Sequence, residues 1–293
     1  MELNWEPLFL GKREDYRSRF GRTPEPSAHY TFASLWGWNV NCAYEWAWDG
    51  PLVWIRANRP SRTCMAPVGD WDAVDWAETL PKRWSPGTVF KDVPMGLARR
   101  WEQALPGRIR LEPSRGEWEY VHRVEDLVTL KGNRFRTKAQ KLRRFVTTYH
   151  PEFVSIGPEN LAEVAAFQEK WCRVRSCGSE KALEEENRAI EATFRDWDRL
   201  PGLFGGALKV DGRMLAYTLA EPLDGLTVVI RFEKGCPDFR DVYQAMNQLF
   251  LERCCGAFVW VNREEDLDDP GLREAKMSYR PDRFLEKATV TLE

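Results

Sequence analysis

Residues 226–234 read LTVVIRFEK, residues 240–253 read RDVYQAMNQLFLER and residues 257–262 read AFVWVN. The first and last of these are rich in β-branched and aromatic residues, the composition of buried strands. Between them Val242, Tyr243, Met246 and Phe250 recur at helical spacing, which predicts a helix packed on a core. Two strands joined by such a helix are expected to be parallel neighbours with a right-handed crossover. They would then end at one edge of the sheet, where ligands of open α/β sheets bind. That edge would gather Glu233 and Lys234 with Asn262, Arg263, Glu264, Glu265 and Asp266. The helix N-terminus would add free N–H groups there. A solvated charged turn is the competing explanation, but folding alone does not require so many ionisable groups at one edge.

Three further features converge on the same place. Arg231 stands two residues before Glu233, so both are expected on one face of the strand, and a buried Arg there would need a partner. Asn247 shares the helical stripe of Tyr243, Met246 and Phe250. It is expected to be buried and satisfied, either as a bridge between helix and sheet or as support for a site residue. Asp269-Pro270 starts a short helix to about residue 277, on which Arg273 and Lys276 share a face.

Moving an acyl group to an amine or hydroxyl needs reactants held together, a proton acceptor and stabilisation of the oxyanion. Glu233 or Glu264 would accept the proton, with a pKa raised by crowding against Glu265 and Asp266. Lys234, Arg263 and Lys276 would face an oxyanion or phosphate. The catalytic candidates are therefore Glu233, Lys234, Arg263 and Glu264. The substrate-binding candidates are Arg231, Asn247, Asn262, Glu265, Asp266, Arg273 and Lys276. The acids between 264 and 269 lack calcium-loop spacing, and no metal is expected.

The remainder of the chain sets bounds on this reading. With 293 residues, 43% hydrophobic and 14 Trp, it can build the cores of two ordinary domains. A formal net charge of −2 gives no global electrostatic case for nucleic acid. No basic-then-apolar leader opens the sequence, and no window approaches the ~18 apolar residues of a membrane span. A cytoplasmic protein is expected, its seven Cys reduced. Cys172 and Cys177 have no second pair to complete a zinc site. His29, His122 and His150 are scattered and read as structural or exposed.

In the N-terminal half, AYEWAW and LVWIR predict a hairpin turning at Asp49-Gly50, with Trp46 and Trp48 on one strand face as core packing. A strand at 62–68, a helix at 70–84 capped by Asp70, a helix at 94–105 and a strand at 108–112 follow. Residues 117–130 read as a long strand. Residues 131–144 then carry seven basic residues on a helix continuing to Tyr149, either a solvated face or a phosphate-contacting patch. From 152 the order is strand, helices at 159–175 and 183–198, a hairpin turning at Asp211-Gly212, the three elements described first, and a closing strand at 284–291. That order is that of an acetyltransferase-like domain. An acetyl-coenzyme A enzyme, however, would need a glycine-bearing loop before helix 240–253 to close on the pyrophosphate. EKGCPDFRDV has one glycine and brings Asp238 and Asp241 to the mouth. Acetyl-coenzyme A is disfavoured, and no cofactor is expected.

The segments FEK, YQAMN and NREEDLDDPGLREAKMSYRP, with EYVHRVEDLVTLKGNRFRTKAQKLRRF before them, resemble the phosphatidylglycerol lysyltransferase C-terminal domain family over roughly residues 30–290. Val242 and Asp268 stand where the family pattern has Gly, and Ala139, Gln140, Lys141 and Arg143 depart from its middle motif. The resemblance implies an α+β fold of two tandem GNAT-like acyltransferase domains, residues 1–148 and 149–293, each a mixed sheet flanked by helices. It implies an aminoacyl- or acyltransferase moving an amino acid from aminoacyl-tRNA, as co-substrate, to a lipid or another small acceptor. Lys138 and Arg144 match its pattern and are the candidates for a tRNA or phosphate patch. The possible partners are aminoacyl-tRNA and a lipid head group at a membrane surface. The alternative is a non-catalytic binding protein on a degenerate acyltransferase fold, recognising an anionic small molecule or RNA.

Overall fold

The computed structural model describes residues 2–293. In chain order the elements are β1 (Glu6–Pro7), α1 (Arg13–Phe20), α2 (Phe32–Cys42), β2 (Glu45–Asp49), β3 (Leu52–Ala57), β4 (Thr63–Met65), β5 (Val68–Gly69), α3 (Trp76–Arg83), β6 (Val89–Pro94), α4 (Met95–Ala104) and β7 (Ile109–Pro113). They continue with β8 (Glu119–Arg123), α5 (Val124–Thr129), α6 (Arg136–Tyr149), β9 (Glu152–Ile156), α7 (Leu161–Arg175) and α8 (Lys181–Arg195). After these come β10 (Phe204–Val210), β11 (Arg213–Pro222), β12 (Thr227–Gly235), α9 (Val242–Cys254), β13 (Trp260–Asn262), α10 (Pro270–Met277), β14 (Arg283–Leu285) and β15 (Lys287–Leu292). No helix among the described residues is long and apolar enough to cross a membrane.

The chain forms two compact units. The first comprises residues up to Glu119 with Glu265–Pro270 and Phe284–Glu293; the second comprises Tyr120–Glu264 with Gly271–Arg283. The boundary expected after residue 148 therefore falls inside the second unit. The reason is pairing and packing: β8 hydrogen-bonds β13, and α6 lies on α9.

In the first unit the sheet order is β1-β2-β3-β4-β6-β15-β7, with β5 pairing β3 off this path. Only β4 and β6 run parallel. The hairpin turns where expected, with Gly50 at φ 58°, a left-handed conformation that costs glycine little. The Trp-rich stretch packs as a core: Trp46 and Trp54 are fully buried, and Phe90 meets the Trp101 ring at 5.0 Å between centroids. Burying side chains of this size contributes about 1.5–3 kcal/mol each. Two elements escape the sequence reading, α2 and β6. α2 is capped by Thr31, whose Oγ1 accepts from the Ser34 N–H at 3.2 Å. The expected closing strand is β15, but it is inserted between β6 and β7 of this first sheet rather than closing the second.

The second sheet has β14 at its edge, followed by the strands β8-β13-β12-β11-β10-β9. β12 and β13 are parallel, as the opening stretch predicts, and the other pairs from β8 to β9 are antiparallel. The β10–β11 turn has Asp211 and Gly212 at φ 51° and 75°. Phe145 of α6, Met246 and Phe250 of α9 and Val261 of β13 are fully buried in one core. Residues 117–130 are not one strand: β8 stops at Arg123 and α5 begins at Val124, with Glu125 and Asp126 in its first turn, where the helix dipole favours acids. Cys172 and Cys177, expected as free thiols, form a disulfide across the end of α7. The other five Cys are free.

Candidate active site

The parallel pairing sets the geometry. Thr227, Val228 and Val229 of β12 face Trp260, Val261 and Asn262 of β13, so β13 ends four residues short of Glu233. Arg263 follows the end of β13 and fills that gap. Its Nη2 stands 3.7 Å from Glu233 Oε1. On the antiparallel side Glu233 lies opposite Thr218 of β11, whose Oγ1 donates to Oε2 at 3.2 Å. Asn247 of α9, 1% exposed, lies against the same carboxylate. Burial pushes the Glu233 pKa up; Arg263, Thr218, Asn247 and Lys276 pull against it without restoring the ordinary value.

Arg231 and Glu233, expected on one face, point to opposite faces. The register slips by one residue between Leu219↔Phe232 and Ala220↔Ile230, leaving Arg231 as the extra residue of a bulge. Arg231 Nε donates to Glu221 Oε1 at 2.7 Å and Nη1 to Glu264 Oε1 at 2.5 Å. Glu221 and Thr218 lie three apart on β11, so the two pairings occupy different faces. Glu264 is thus held by a buried guanidinium, and its backbone N–H is held by Asn262 Oδ1 at 2.8 Å. Lys234 also turns away from Glu233. Its Nζ reaches Glu186 Oε2 at 2.6 Å and lies 4.7 Å from the Trp171 ring centroid, the consequence of strand alternation.

On the Glu233 side the structure adds residues the sequence did not single out. Tyr279, just past α10, lies under two cations: Arg263 at 4.8 Å and Lys138 Nζ at 4.0 Å from its ring centroid. Lys276 Nζ donates to the Arg263 carbonyl at 2.6 Å and lies 5.7 Å from the Tyr120 ring centroid. Lys138 is pulled down to about 8 by burial and by Lys141 and Arg263. His122 of β8, 1% exposed, meets Tyr279 edge-on. Burial and the neighbouring Arg263 and Lys276 charges pull it down to about 3, so its imidazole is neutral. Among the described residues Arg263 Nη1 has no hydrogen-bond partner. An open buried donor beside a carboxylate of raised pKa makes this cluster the candidate site.

The other candidates lie elsewhere. Glu265 and Asp266 belong to the first unit. Glu265 accepts from His29 Nε2 at 3.0 Å. Asp266 is fully buried, accepting from Arg115 Nη1 at 3.0 Å and from the Asp268 N–H at 2.9 Å, a turn-holding role. Arg273 is half-buried on α10, one turn before Lys276. Arg144 pairs with Asp241, its Nε at 2.9 Å from Oδ2, which offsets the acid expected to repel a pyrophosphate. A cavity of about 440 Å³ opens beside the Cys172–Cys177 disulfide, lined by Glu169, Arg173, Asn187 and Glu191 among others. It shares no residue with the Glu233 cluster. The signals for the missed residues were slight. His122 lies two positions after Tyr120 on β8, and Tyr279 three after Lys276, but only the pairing of β8 with β13 brings them together.

The model of a family described as phosphatidylglycerol lysyltransferase, C-terminal, matches residues 21–290. Among solved structures, a conserved protein of unknown function from Bacteroides thetaiotaomicron is 26% identical, covering 99% of this chain and 100% of its own, with a TM-score of 0.88. L-PGS from Bacillus licheniformis is 14% identical, covering 98% of this chain and 93% of its own, with a TM-score of 0.62. FemX is 10% identical, covering 99% and 98%, with a TM-score of 0.61. No curated relative matches the chain in sequence. The architecture is that of the GNAT-like acyltransferase folds.

Proposed function

The chain belongs to the phosphatidylglycerol lysyltransferase C-terminal family, a setting of acyl and aminoacyl transfer, and from that premise we propose that it moves an amino acid from aminoacyl-tRNA to a lipid or another small acceptor, with the Glu233 cluster as its active site. One observation carries the reading: a buried carboxylate of raised pKa beside a guanidinium with an open nitrogen.

Glu233 takes the proton of the attacking hydroxyl or amine, a task for which a raised pKa suits a carboxylate near neutral pH. Thr218 and Asn247 fix its orientation. Arg263 Nη1 faces the charge that develops on the ester carbonyl oxygen as the tetrahedral intermediate forms. As that intermediate collapses, the C–O bond to the tRNA ribose breaks and Glu233 returns the proton to the departing ribose oxygen. Neutral His122 offers a second acceptor or donor without adding charge. Lys138 and Lys276 supply positive potential for a phosphate of the donor or of a lipid head group. Arg231, Lys234 and Glu264 belong to the supporting framework on this reading. Arg144 and Arg273 border it.

The test is transfer of labelled amino acids from a full set of aminoacyl-tRNAs to a lipid extract and to small amines. The expected result is a labelled product that Glu233→Gln abolishes. No transfer from any aminoacyl-tRNA would reject the reading. Binding that survives Glu233→Gln, with turnover never seen, would establish the non-catalytic alternative.

A further inference from the structure

A second cluster of titratable groups lies within the first unit, and the Glu233 chemistry makes no use of it. His29 sits on a short 3-10 turn, Asp92 in β6 and Glu117 on a second 3-10 turn. One ligand atom from each lies within 4.8 Å of the other two, and His29 Nδ1 is 4.0 Å from Asp92 Oδ2. We propose that these three side chains bind a divalent first-row metal ion, with Glu265 as the outer carboxylate that orients the histidine.

The histidine is set up for this role. Its Nε2 is taken by Glu265 at 3.0 Å, which leaves Nδ1 to face Asp92. A carboxylate on the far nitrogen is what metal-bound imidazoles ordinarily carry. Each donor also sits on a pinned backbone. The Ala28 N–H donates to Glu119 at 3.0 Å, and Tyr30 Oη donates to the Asp92 carbonyl at 2.9 Å. These bonds fix the residues on both sides of His29. On β6, Lys91 and Asp92 together oppose the single Thr289 of β15, so Asp92 sits in a bulge at φ 54°. Bulges re-aim a side chain. Glu117 is flanked by Gly116, packed tightly against Asp268, and by Trp118, whose Nε1 donates to the Lys287 carbonyl at 3.1 Å.

The local charge is unbalanced. Asp92, Glu117, Glu119 and Glu265 surround the buried Lys287 and His29, and these groups act electrostatically on one another. Four acids against two cations leave an excess of two negative charges when all are ionised, even with His29 protonated. Half-buried charge of one sign favours a counter-ion. One imidazole with two carboxylates suits Zn²⁺ or Mn²⁺, with water completing the shell. Bonds of about 2.0–2.2 Å bring such donors to about 3.4 Å of one another, so from separations of up to 4.8 Å each donor moves in by up to about 0.7 Å, within reach of side-chain rotation.

The experiment is metal analysis after equilibrium dialysis of the whole chain against Zn²⁺, Mn²⁺ or Co²⁺, with Mg²⁺ as the comparison. About one tightly held equivalent is expected, with Co²⁺ giving the visible absorption of a low-coordinate site. Asp92→Asn and Glu117→Gln should each weaken binding at least tenfold while leaving the circular dichroism unchanged, and Glu265→Gln by about 10–100-fold. In the wild-type chain Zn²⁺ should shield His29 from diethylpyrocarbonate, a readout that needs no variant to fold. Less than a tenth of an equivalent bound overturns the proposal, as does an unshielded His29 or variants that bind as tightly as wild type.

Discussion

Arg263 and Glu233 face each other at 3.7 Å across the gap left where β13 stops four residues short of Glu233. That spacing is longer than a direct hydrogen bond. The guanidinium therefore tempers the carboxylate without locking it, and one of its nitrogens stays open toward the cluster. The neighbouring pair Arg231–Glu264, at 2.5 Å, is the contrasting case of two charges committed to each other.

Glu233→Gln should lower transfer by at least 10²-fold, the usual contribution of a positioned base. It should change stability by no more than about 1 kcal/mol, because the buried carboxylate is already disfavoured as an anion. Transfer rates and urea midpoints of the same preparations check the two halves separately.

Arg231→Met should behave in the opposite way. Removing the guanidinium leaves buried Glu221 and half-buried Glu264 without their cation, which should cost about 3 kcal/mol. Urea unfolding measures it. A variant as stable as wild type would mean that this bulge does not hold the strand end.

His122 supplies a pH signature. Its imidazole titrates near 3 in the fold against 6.5 ordinarily, so between those values the unfolded chain binds a proton that the folded chain does not. Its contribution is complete above about pH 6.5 and is lost as pH falls toward 3, with a slope of up to about 1.4 kcal/mol per pH unit. The difference in stability between wild type and His122→Phe should therefore change between pH 7 and pH 4. A difference independent of pH would place His122 in a solvated, ordinary state.

Lys138, drawn down to about 8, should be partly unprotonated at pH 8. An ordinary lysine is almost wholly charged there. Limited acetylation at that pH, mapped by mass spectrometry, should label Lys138 ahead of the exposed Lys131. Equal labelling would show that the neighbouring cations do not act on it.

Much of the second unit was legible because its core strands and α9 carry strong, regular apolar patterns. The parallel pairing of β12 and β13 follows directly from that. The site was legible in its materials and less so in its arrangement. Glu233, Arg263, Lys276, Asn247 and Lys138 do meet, yet a one-residue bulge at Arg231 changes which side chains share a face, and no periodicity announces a bulge. Glu265 and Asp266 are next in sequence to Glu264 but fold with the first unit. His122 and Tyr279 reach the cluster through long-range pairing that local pattern cannot supply. α2 was hidden by its Trp and Asn content, and β6 by its brevity and its Lys-Asp pair. The 117–130 segment was misread because Val-rich strand and helix follow one another without a break.

The place of β15 bears on how the protein is made. β15 follows all of the second unit along the chain, yet it supplies the strand that joins β6 to β7. Until β15 is made, β6 and β7 each wait with a bare edge, open to mispairing with other nascent chains. The later half of the polypeptide can meanwhile assemble its own layer. For these two units, order of synthesis and order of completion are thus reversed: the sheet begun before the second unit is closed after it.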